Sequence, residues 1–165
     1  MIYWLGYVVP CICWRAITSL AGPWTEADLT TLEGMPEPLV GLPLSTAGLV
    51  AVWRSRLAGI PWVVALQQYN LLGSHDTSRV RSVLGDNDAL HRLAVVLLLT
   101  FPGVPGLYYG DEIGLLDEPG LRSRGCMPWE PEGWNHELRD FFKDLIHQRR
   151  TSPALQRGGF QVVSI

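Results

Sequence analysis

The chain of 165 residues carries 13 basic and 16 acidic side chains, a formal net charge of −3, and no block of either sign. Nucleic acids and anionic membrane surfaces are recognised through clustered positive charge, so neither is expected as a partner. The length suits one ordinary domain with its own core, but a complete (β/α)8 barrel takes about 250 residues and is excluded. Three cysteines without metal-ligand spacing favour a reducing compartment over a disulfide scaffold, which predicts a cytoplasmic location.

Residues 1–44 show no pattern that assigns them to a fold. The first 20 residues are apolar, but the run lacks a positively charged start and is interrupted by Pro10 and Arg15. A secretory signal peptide and a membrane span are therefore both disfavoured. Residues 24–32 predict a short helix, and the segment after it is rich in proline and glycine, which predicts a loop.

The main region opens with a helix and a strand. Residues 45–57 predict a helix, which a glycine and a proline end. The largely apolar run at 65–72 then predicts a buried strand with a polar carboxyl end. His75 and Asp76 follow that strand as neighbours, and neighbouring side chains of an extended chain point to opposite faces. Both reach one site only if the strand breaks at Gly73 and its end curls into a loop.

A second helix and a second strand follow. Asp86 or Asn87 is placed to cap a helix that keeps helical apolar spacing to residue 101. Two turns with glycine and proline then precede a predicted strand at 107–109, along which Tyr108 and Tyr109 alternate, so at most one ring faces the inner side of the sheet. Strand, helix and strand in this order predict a βαβ unit, whose parallel strands bring their carboxyl ends to one edge.

The last part of the chain predicts a long loop, a helix and the beginning of another strand. Residues 117–133 form the loop, and structureless segments of that length in compact domains are usually functional. Asn135 is placed to cap the last helix, and Pro153 is expected to end it. The apolar run from Phe160 to Ile165 is strand-like.

Three stretches together resemble a known family: LLGSHDTSR at 71–79, FPGVPGLYYGDEIGL at 101–115 and Met-Pro-Trp-Glu at 127–130. In wording, order and spacing they resemble the α-amylase family of glycoside hydrolases. The match is closest to its branch of neopullulanases, cyclomaltodextrinases and maltogenic amylases. The resemblance covers residues 53–165 and does not include residues 1–35.

The resemblance implies an α/β fold, a partial (β/α)8 TIM barrel with a further domain beginning after it. Residues 45–153 would form the last two β/α units of the barrel, and residues 154–165 would start a C-terminal β-sandwich domain. Residues 1–44 stay unassigned. The implied activity is retaining hydrolysis of α-glucosidic bonds in maltodextrin-like or cyclodextrin-like substrates, without a cofactor or a metal ion.

The resemblance also implies roles for three residues of the first motif. Asp76 resembles the third catalytic carboxylate of the family, which holds sugar hydroxyls and helps to distort the ring toward an oxocarbenium-like transition state. His75 would donate a hydrogen bond to the same sugar. Arg79 would contribute to substrate binding, or would pair with a neighbouring carboxylate and orient it.

Five further residues are weighed between structural and substrate-binding roles. Asp111 and Glu112 are expected to tie the end of the second strand to the following loop, with substrate contact as the alternative. The candidates for the rim of the site are Arg122, Arg124 and Trp129. The family's arginine-rich run before Pro-Met-Pro-Trp is altered here, which leaves substrate contact by the two arginines open.

The other two catalytic carboxylates of the family lie in Gly-x-Arg-x-Asp and Glu-x-Trp contexts on earlier strands. Neither context is assigned anywhere in this chain. The chain alone is therefore expected to be inactive, and its unpaired barrel edges are expected to make it self-associate. An oligo-1,6-glucosidase, a trehalose synthase or a non-catalytic scaffold with the α-amylase fold are alternatives. The first two typically carry Asn-His-Asp in the first motif and Gln where Tyr109 stands.

Overall fold

The computed structural model of the chain describes residues 46–163, and the assignments made for residues 1–44 lie outside that range. The α-helices are α1 (Thr46–Ala58), α2 (Trp62–Ala65), α3 (Val80–Val83), α4 (Asp88–Thr100), α5 (His136–Thr151) and α6 (Pro153–Arg157). The strands are β1 (Tyr69–Leu71) and β2 (Val104–Gly106). Two 3-10 turns lie at Asp111–Ile113 and Pro131–Gly133.

The two strands form a parallel pair that α4 connects, which confirms the predicted βαβ unit. Tyr69 pairs with Val104, and Leu71 pairs with Gly106. The Val104 amide donates to the Gln68 carbonyl at 2.7 Å, one residue before β1 begins. The residues that follow each strand therefore leave the sheet at the same edge.

Both strands differ in extent from the sequence prediction. The first was expected at 65–72, but residues 62–65 form α2 and only Tyr69–Leu71 is strand. The second was expected at 107–109 and lies three residues earlier, at Val104–Gly106. Because β2 contains proline and glycine, which are rare in strands, its sequence did not predict a strand. Gly106 lets the segment pair closely with β1, because it has no side chain to collide with the Tyr69 ring. A Cβ at position 106 would lie 2.3 Å from Tyr69 Cζ.

The core lies between the helices and the sheet. The α4 helix begins as predicted, with Asn87 Oδ1 accepting a hydrogen bond from the Leu90 amide at 3.1 Å. The α5 helix begins with the predicted cap too, because Asn135 Oδ1 accepts from the Leu138 amide at 2.9 Å. Apolar side chains of the two helices then pack with residues around the sheet, in a cluster formed by Leu72, Val80, Leu84, Ala94, Val95, Leu98, Leu99, Leu138 and Phe142.

A smaller aromatic cluster joins α1 to the last described residues. The Trp53 ring lies 5.5 Å from Phe101 and 5.9 Å from Phe160, centre to centre. The strand predicted for residues 160–165 is not found over the described residues 160–163, where Phe160 packs against α1 instead, and residues 164–165 lie outside the described range. Pro153 does not merely follow the end of α5, because it is also the first residue of α6.

Within residues 46–163, no helix is long and apolar enough to cross a membrane. The described sheet has two strands, so each strand has one edge without a described strand beside it. Tyr69 and Val104 are about half exposed on this sheet.

We expect the chain to self-associate, because unpaired strand edges and exposed apolar side chains are templates for association. Size-exclusion chromatography with light scattering measures this, and the mass should exceed that of one chain and fall on dilution. A single monomeric species with a sharp, cooperative thermal transition would contradict the prediction.

A second prediction concerns His91, whose side chain is fully buried in α4 without a hydrogen bond to either ring nitrogen. Burial lowers the pKa of His91 from 6.5 to about 4; the Arg81 and Arg92 charges act in the same direction and Asp88 opposes them. Between these values the unfolded chain binds a proton that the folded chain does not. The free energy of unfolding should therefore fall by roughly 3 kcal/mol between pH 7 and pH 4.

Urea unfolding at several pH values checks this, and His91→Leu should remove most of that fall. His147→Gln is the matched control, because it removes an exposed histidine and leaves His91 in place. Equal pH dependence in the wild type and His91→Leu would show that His91 is not the group responsible.

Candidate functional site

The chain turns sharply after β1, and we call residues 72–77 the β1 tip. The Ser74 amide donates to Thr77 Oγ1 at 2.9 Å, the Thr77 amide donates to the Ser74 carbonyl at 3.3 Å, and the Asp76 amide donates to Ser74 Oγ at 3.2 Å. These bonds close a tight loop built by serine and threonine side chains. The β1 tip is therefore curled, as the sequence required if His75 and Asp76 were to serve one site.

His75 and Asp76 lie together on the exposed side of the β1 tip. His75 Nε2 is 3.2 Å from Asp76 Oδ2, and the two side chains are 67% and 53% exposed. In this arrangement the imidazole can donate a hydrogen bond to a polar ligand, and the carboxylate can accept hydrogen bonds from it. The structure thus brings together the two residues to which the sequence assigned the main role.

Arg79 lies beneath the β1 tip and is 1% exposed. Its guanidinium donates to the Tyr109 carbonyl at 2.7 Å, to Asp111 Oδ1 at 3.3 Å and to the Ser123 carbonyl at 3.0 Å. It also lies over the Tyr108 and Tyr109 rings, 5.1 and 4.9 Å from their centres. The predicted pairing of Arg79 with a neighbouring carboxylate is confirmed, and this geometry favours orientation over direct contact with a ligand.

Asp111, the carboxylate partner of Arg79, is also buried. Burial raises the pKa of Asp111 to about 7, while the positive charge of Arg79 acts in the opposite direction. A Cβ at Gly73 would lie 4.0 Å from Asp111 Oδ2, so the carboxylate borders the β1 tip. Glu112 Oε2 accepts from the Gly110 amide at 2.8 Å. Asp111 and Glu112 thus make structural contacts, with Arg79 and with the Gly110 amide, and neither contact reaches the long loop.

The two tyrosines do not alternate as predicted, because β2 ends before them. Their rings lie 4.6 Å apart, centre to centre, and both hydroxyls donate to the Ser123 carbonyl, at 3.3 Å from Tyr108 and 3.4 Å from Tyr109. The Tyr109 hydroxyl also lies 2.7 Å from the Gly125 carbonyl. Both tyrosines therefore hold the long loop, residues 117–133, against the end of β2.

The three rim candidates lie on the long loop in different situations. Arg124 contacts the β1 tip directly: its Nε donates to the His75 carbonyl at 2.9 Å, and its Nη2 lies 3.2 Å from Asp76 Oδ1. Arg122 is exposed, with a left-handed backbone at φ 51°. Trp129 is 76% exposed. Of the three, Arg124 is the one that the structure brings to the predicted site residues.

Two residues of the site were not predicted from the sequence. Ser123 is fully buried, and its hydroxyl donates to the Ser74 carbonyl at 3.1 Å, so it joins the long loop to the β1 tip. Asp117 accepts from the Arg79 amide at 2.8 Å. Within residues 46–163, no group of three or more His, Cys, Asp or Glu side chains is placed to hold a metal ion.

Comparison with known proteins agrees with this fold. Residues 52–158 match the family model described as the α-amylase catalytic domain. The chain therefore belongs to the α-amylase family of glycoside hydrolases, as a stretch of its catalytic domain. Within that family it belongs to the branch of cyclomaltodextrinases, maltogenic amylases and neopullulanases, which are the names of its relatives.

A cyclomaltodextrinase from Geobacillus thermopakistaniensis (strain MAS1) is 46% identical over 90 residues, which are 54% of this chain and 15% of that enzyme. A debranching enzyme from Nostoc punctiforme superposes with a TM-score of 0.72 at 33% identity, over 97% of this chain and 31% of that structure. A cyclic α-maltosyl-(1→6)-maltose hydrolase from Arthrobacter globiformis, in complex with maltose, superposes with a TM-score of 0.66 at 33% identity, over 79% and 29%. The chain thus spans less than a third of the length of these proteins.

We expect Arg79→Met to destabilise the fold by about 3–5 kcal/mol, because it leaves the Asp111 carboxylate buried without its counter-charge. Urea unfolding measures the loss. Lys143→Met is the control: it breaks an exposed, solvent-screened pair with Asp140 and should leave the stability nearly unchanged.

The double variant Arg79→Met with Asp111→Asn tests the coupling. It should lose less stability than the sum of the two single variants, because the asparagine carries no charge to desolvate. If the loss in the double variant equals the sum of the two single losses, Arg79 and Asp111 do not stabilise the fold as a coupled pair.

Proposed function

We propose that this chain forms the C-terminal part of the catalytic barrel of a retaining α-glucoside hydrolase. Its substrates in this proposal are maltodextrin-like or cyclodextrin-like. The observation that carries the proposal is the exposed pair His75 and Asp76, held at the carboxyl end of β1 beside the parallel strand β2. Active sites of (β/α)8 barrels lie at this end of the strands.

Asp76 supplies negative charge at the sugar in the proposed mechanism. Cleavage of a glycosidic bond passes through an oxocarbenium-like transition state with positive charge on the ring. A fixed carboxylate that holds two sugar hydroxyls stabilises that state more than the ground state, because the charge develops only as the bond breaks. His75 donates a hydrogen bond to the same sugar and holds its ring in position beside Asp76.

Arg79 and Arg124 are positioning residues in this proposal. Arg79 fixes the chain beneath the β1 tip from a buried place, whereas Arg124 contacts the β1 tip from outside. Arg124 is 63% exposed and Asp76 is 53% exposed, so the pair is weak and separates at little cost when sugar hydroxyls approach. Asp111 and Glu112 keep structural roles.

In this proposal the chain does not catalyse alone. A retaining mechanism needs a nucleophilic carboxylate and an acid/base carboxyl about 5–5.5 Å apart. Glu132 and Trp134 repeat the Glu-x-Trp spacing of the family acid, but Glu132 is exposed in the 3-10 turn Pro131–Gly133, beyond the last strand. It is therefore not proposed as the acid, and the two missing carboxylates would come from earlier strands of the barrel.

The substrate class rests on the names of similar proteins. Cyclomaltodextrinase and maltogenic α-amylase support a glucan or cyclodextrin substrate, and a (1→6)-bonded maltose ring gives its name to the Arthrobacter hydrolase. We therefore propose cleavage of (1→6) bonds as an alternative beside cleavage of the bonds in maltodextrins and cyclodextrins. A cytoplasmic location is part of it and is supported by a relative named intracellular maltogenic amylase.

A chimera tests the proposal directly. Residues 52–158 of this chain replace the matching stretch of the Geobacillus cyclomaltodextrinase, which supplies the rest of the barrel. We expect the chimera to hydrolyse cyclodextrin and maltodextrin with retention, whereas the chain alone should show no turnover. Asp76→Asn in the chimera should lower kcat by on the order of 10²–10³, as loss of a group that stabilises transition-state charge does.

Asp140→Asn is the matched control, because Asp140 is an exposed carboxylate on α5 and its loss should leave kcat unchanged. Pullulan contains both α-1,4 and α-1,6 bonds, so the products released from it report which linkage is cleaved. Full activity in the Asp76→Asn chimera would remove Asp76 from the mechanism, and turnover by the chain alone would show that the catalytic carboxylates had been misidentified.

A further inference from the structure

The long loop carries an exposed aromatic side chain that packs on nothing. Trp129 is 76% exposed, and within residues 46–163 its indole has no hydrogen bond and no ring contact. By contrast, the Trp53 ring contacts two phenylalanine rings, and Trp134 has both a hydrogen bond and an arginine over its ring. An indole left in water forfeits the stabilisation that its burial would give the fold. Packing of the described residues therefore does not explain where Trp129 stands.

The backbone on both sides of Trp129 is held in place. Before it, the Pro128 carbonyl accepts a hydrogen bond from Trp134 Nε1 at 2.8 Å. After it, the Glu130 carbonyl accepts from the Gly133 amide at 3.3 Å. Two prolines, one on each side of Trp129, restrict the chain further. The indole is thus presented to solvent from a preorganised backbone, which lowers the entropy lost when a ligand binds to it.

Trp129 lies between two contacts that join the long loop to the edge of the sheet where both strands end. Five residues earlier, Arg124 Nε donates to the His75 carbonyl of the β1 tip at 2.9 Å. Six residues later, the Asn135 amide donates to the Ile113 carbonyl, in the 3-10 turn that follows β2, at 3.2 Å. Five extended residues span at most about 18 Å. Trp129 therefore belongs to the same edge as the β1 tip and stands outward from it.

The surroundings of Trp129 favour a ligand with an apolar face and a polar edge. Its neighbour Glu130 is exposed, and so is Glu132. A pyranose ring carries C–H groups on its faces, which pack on the π-face of an indole, and hydroxyl groups around its edge. The two carboxylates can accept hydrogen bonds from such hydroxyls. A wholly apolar partner would instead remove both carboxylates from water without a hydrogen bond in return.

We propose that Trp129 is a platform for one glucose ring of an α-glucan whose reacting unit lies at His75 and Asp76. The inference rests on the proposed function, from which the class of ligand is taken. The ring on the platform is distant from the bond that is cleaved, so Trp129 binds the ground state and the transition state equally. It therefore selects long glucans over short ones and is not a catalytic residue.

Fluorine NMR of the full chain tests the contact without a need for catalysis. The seven tryptophans are labelled as 5-fluorotryptophan, and Trp129→Phe identifies the resonance of position 129. Maltoheptaose at millimolar concentrations should shift that resonance in a saturable way. The resonance of buried Trp53, identified through Trp53→Phe, should stay in place. Sorbitol, a polyol without a ring face, is the matched control ligand and should shift neither resonance.

Steady-state kinetics of the chimera test the effect on specificity. Trp129→Ala should raise KM for maltoheptaose about two- to tenfold, the range of one aromatic contact, and leave kcat unchanged. Maltotriose is too short to reach the platform, so both of its constants should stay the same. Trp129→Tyr keeps an aromatic face and should restore most of the affinity. Leu121→Ala removes another exposed apolar side chain of the same loop and is the matched control, with no change in KM.

Two results would overturn the inference. One is a resonance of position 129 that responds to maltoheptaose no more than to sorbitol. The other is an active chimera in which Trp129→Ala leaves the ratio of the KM values for maltoheptaose and maltotriose unchanged. A chimera without any turnover would contradict the proposed function instead, and the fluorine resonance would then decide the role of Trp129 by itself.

Discussion

The candidate site depends on one buried guanidinium. Arg79 follows the β1 tip, and its donors reach the residues after β2 and the long loop at the same time, through Tyr109, Asp111 and Ser123. These partners come from parts of the chain up to 44 residues away. The exposed pair His75 and Asp76 is therefore placed by a contact that lies beneath it.

The chemistry of arginine explains why this residue type stands at position 79. A guanidinium has five N–H donors in a fixed plane, so it can bind two carbonyls and a carboxylate while its face stacks on aromatic rings. A lysine ammonium has three donors on one point charge and offers no such plane. Burying the pair with Asp111 costs desolvation on both sides, which raises the pKa of Asp111. What the pair provides is fixed geometry more than stability.

Local signals made the long helices α1, α4 and α5 predictable from the sequence, whereas elements without such signals were missed or misplaced. Asn87 and Asn135 cap α4 and α5 through their own side chains, which any reading of nearby residues can find. The strand β2 was misplaced because Pro105 and Gly106 are typical of turns, and only the neighbouring β1 makes them a strand. Ser123 was missed because it accepts three of its hydrogen bonds through a backbone carbonyl, which every residue type possesses.

The position of β2 shows how such a short strand is held. It has three residues, and its register places the Pro105 nitrogen, which has no hydrogen to donate, on the side away from β1. Just before the strand, the Gly103 carbonyl accepts from buried Arg149, and just after it the Tyr109 carbonyl accepts from buried Arg79. Each end is thus fixed by a side chain from a helix or loop packed on it.

The two arginines differ in charge balance: Arg79 has Asp111 as its counter-ion, whereas the described partners of Arg149 are carbonyls. The same device therefore holds both ends of the strand, through an arginine with a carboxylate counter-ion beneath the candidate site and, at the opposite end, through an arginine whose described partners are carbonyls.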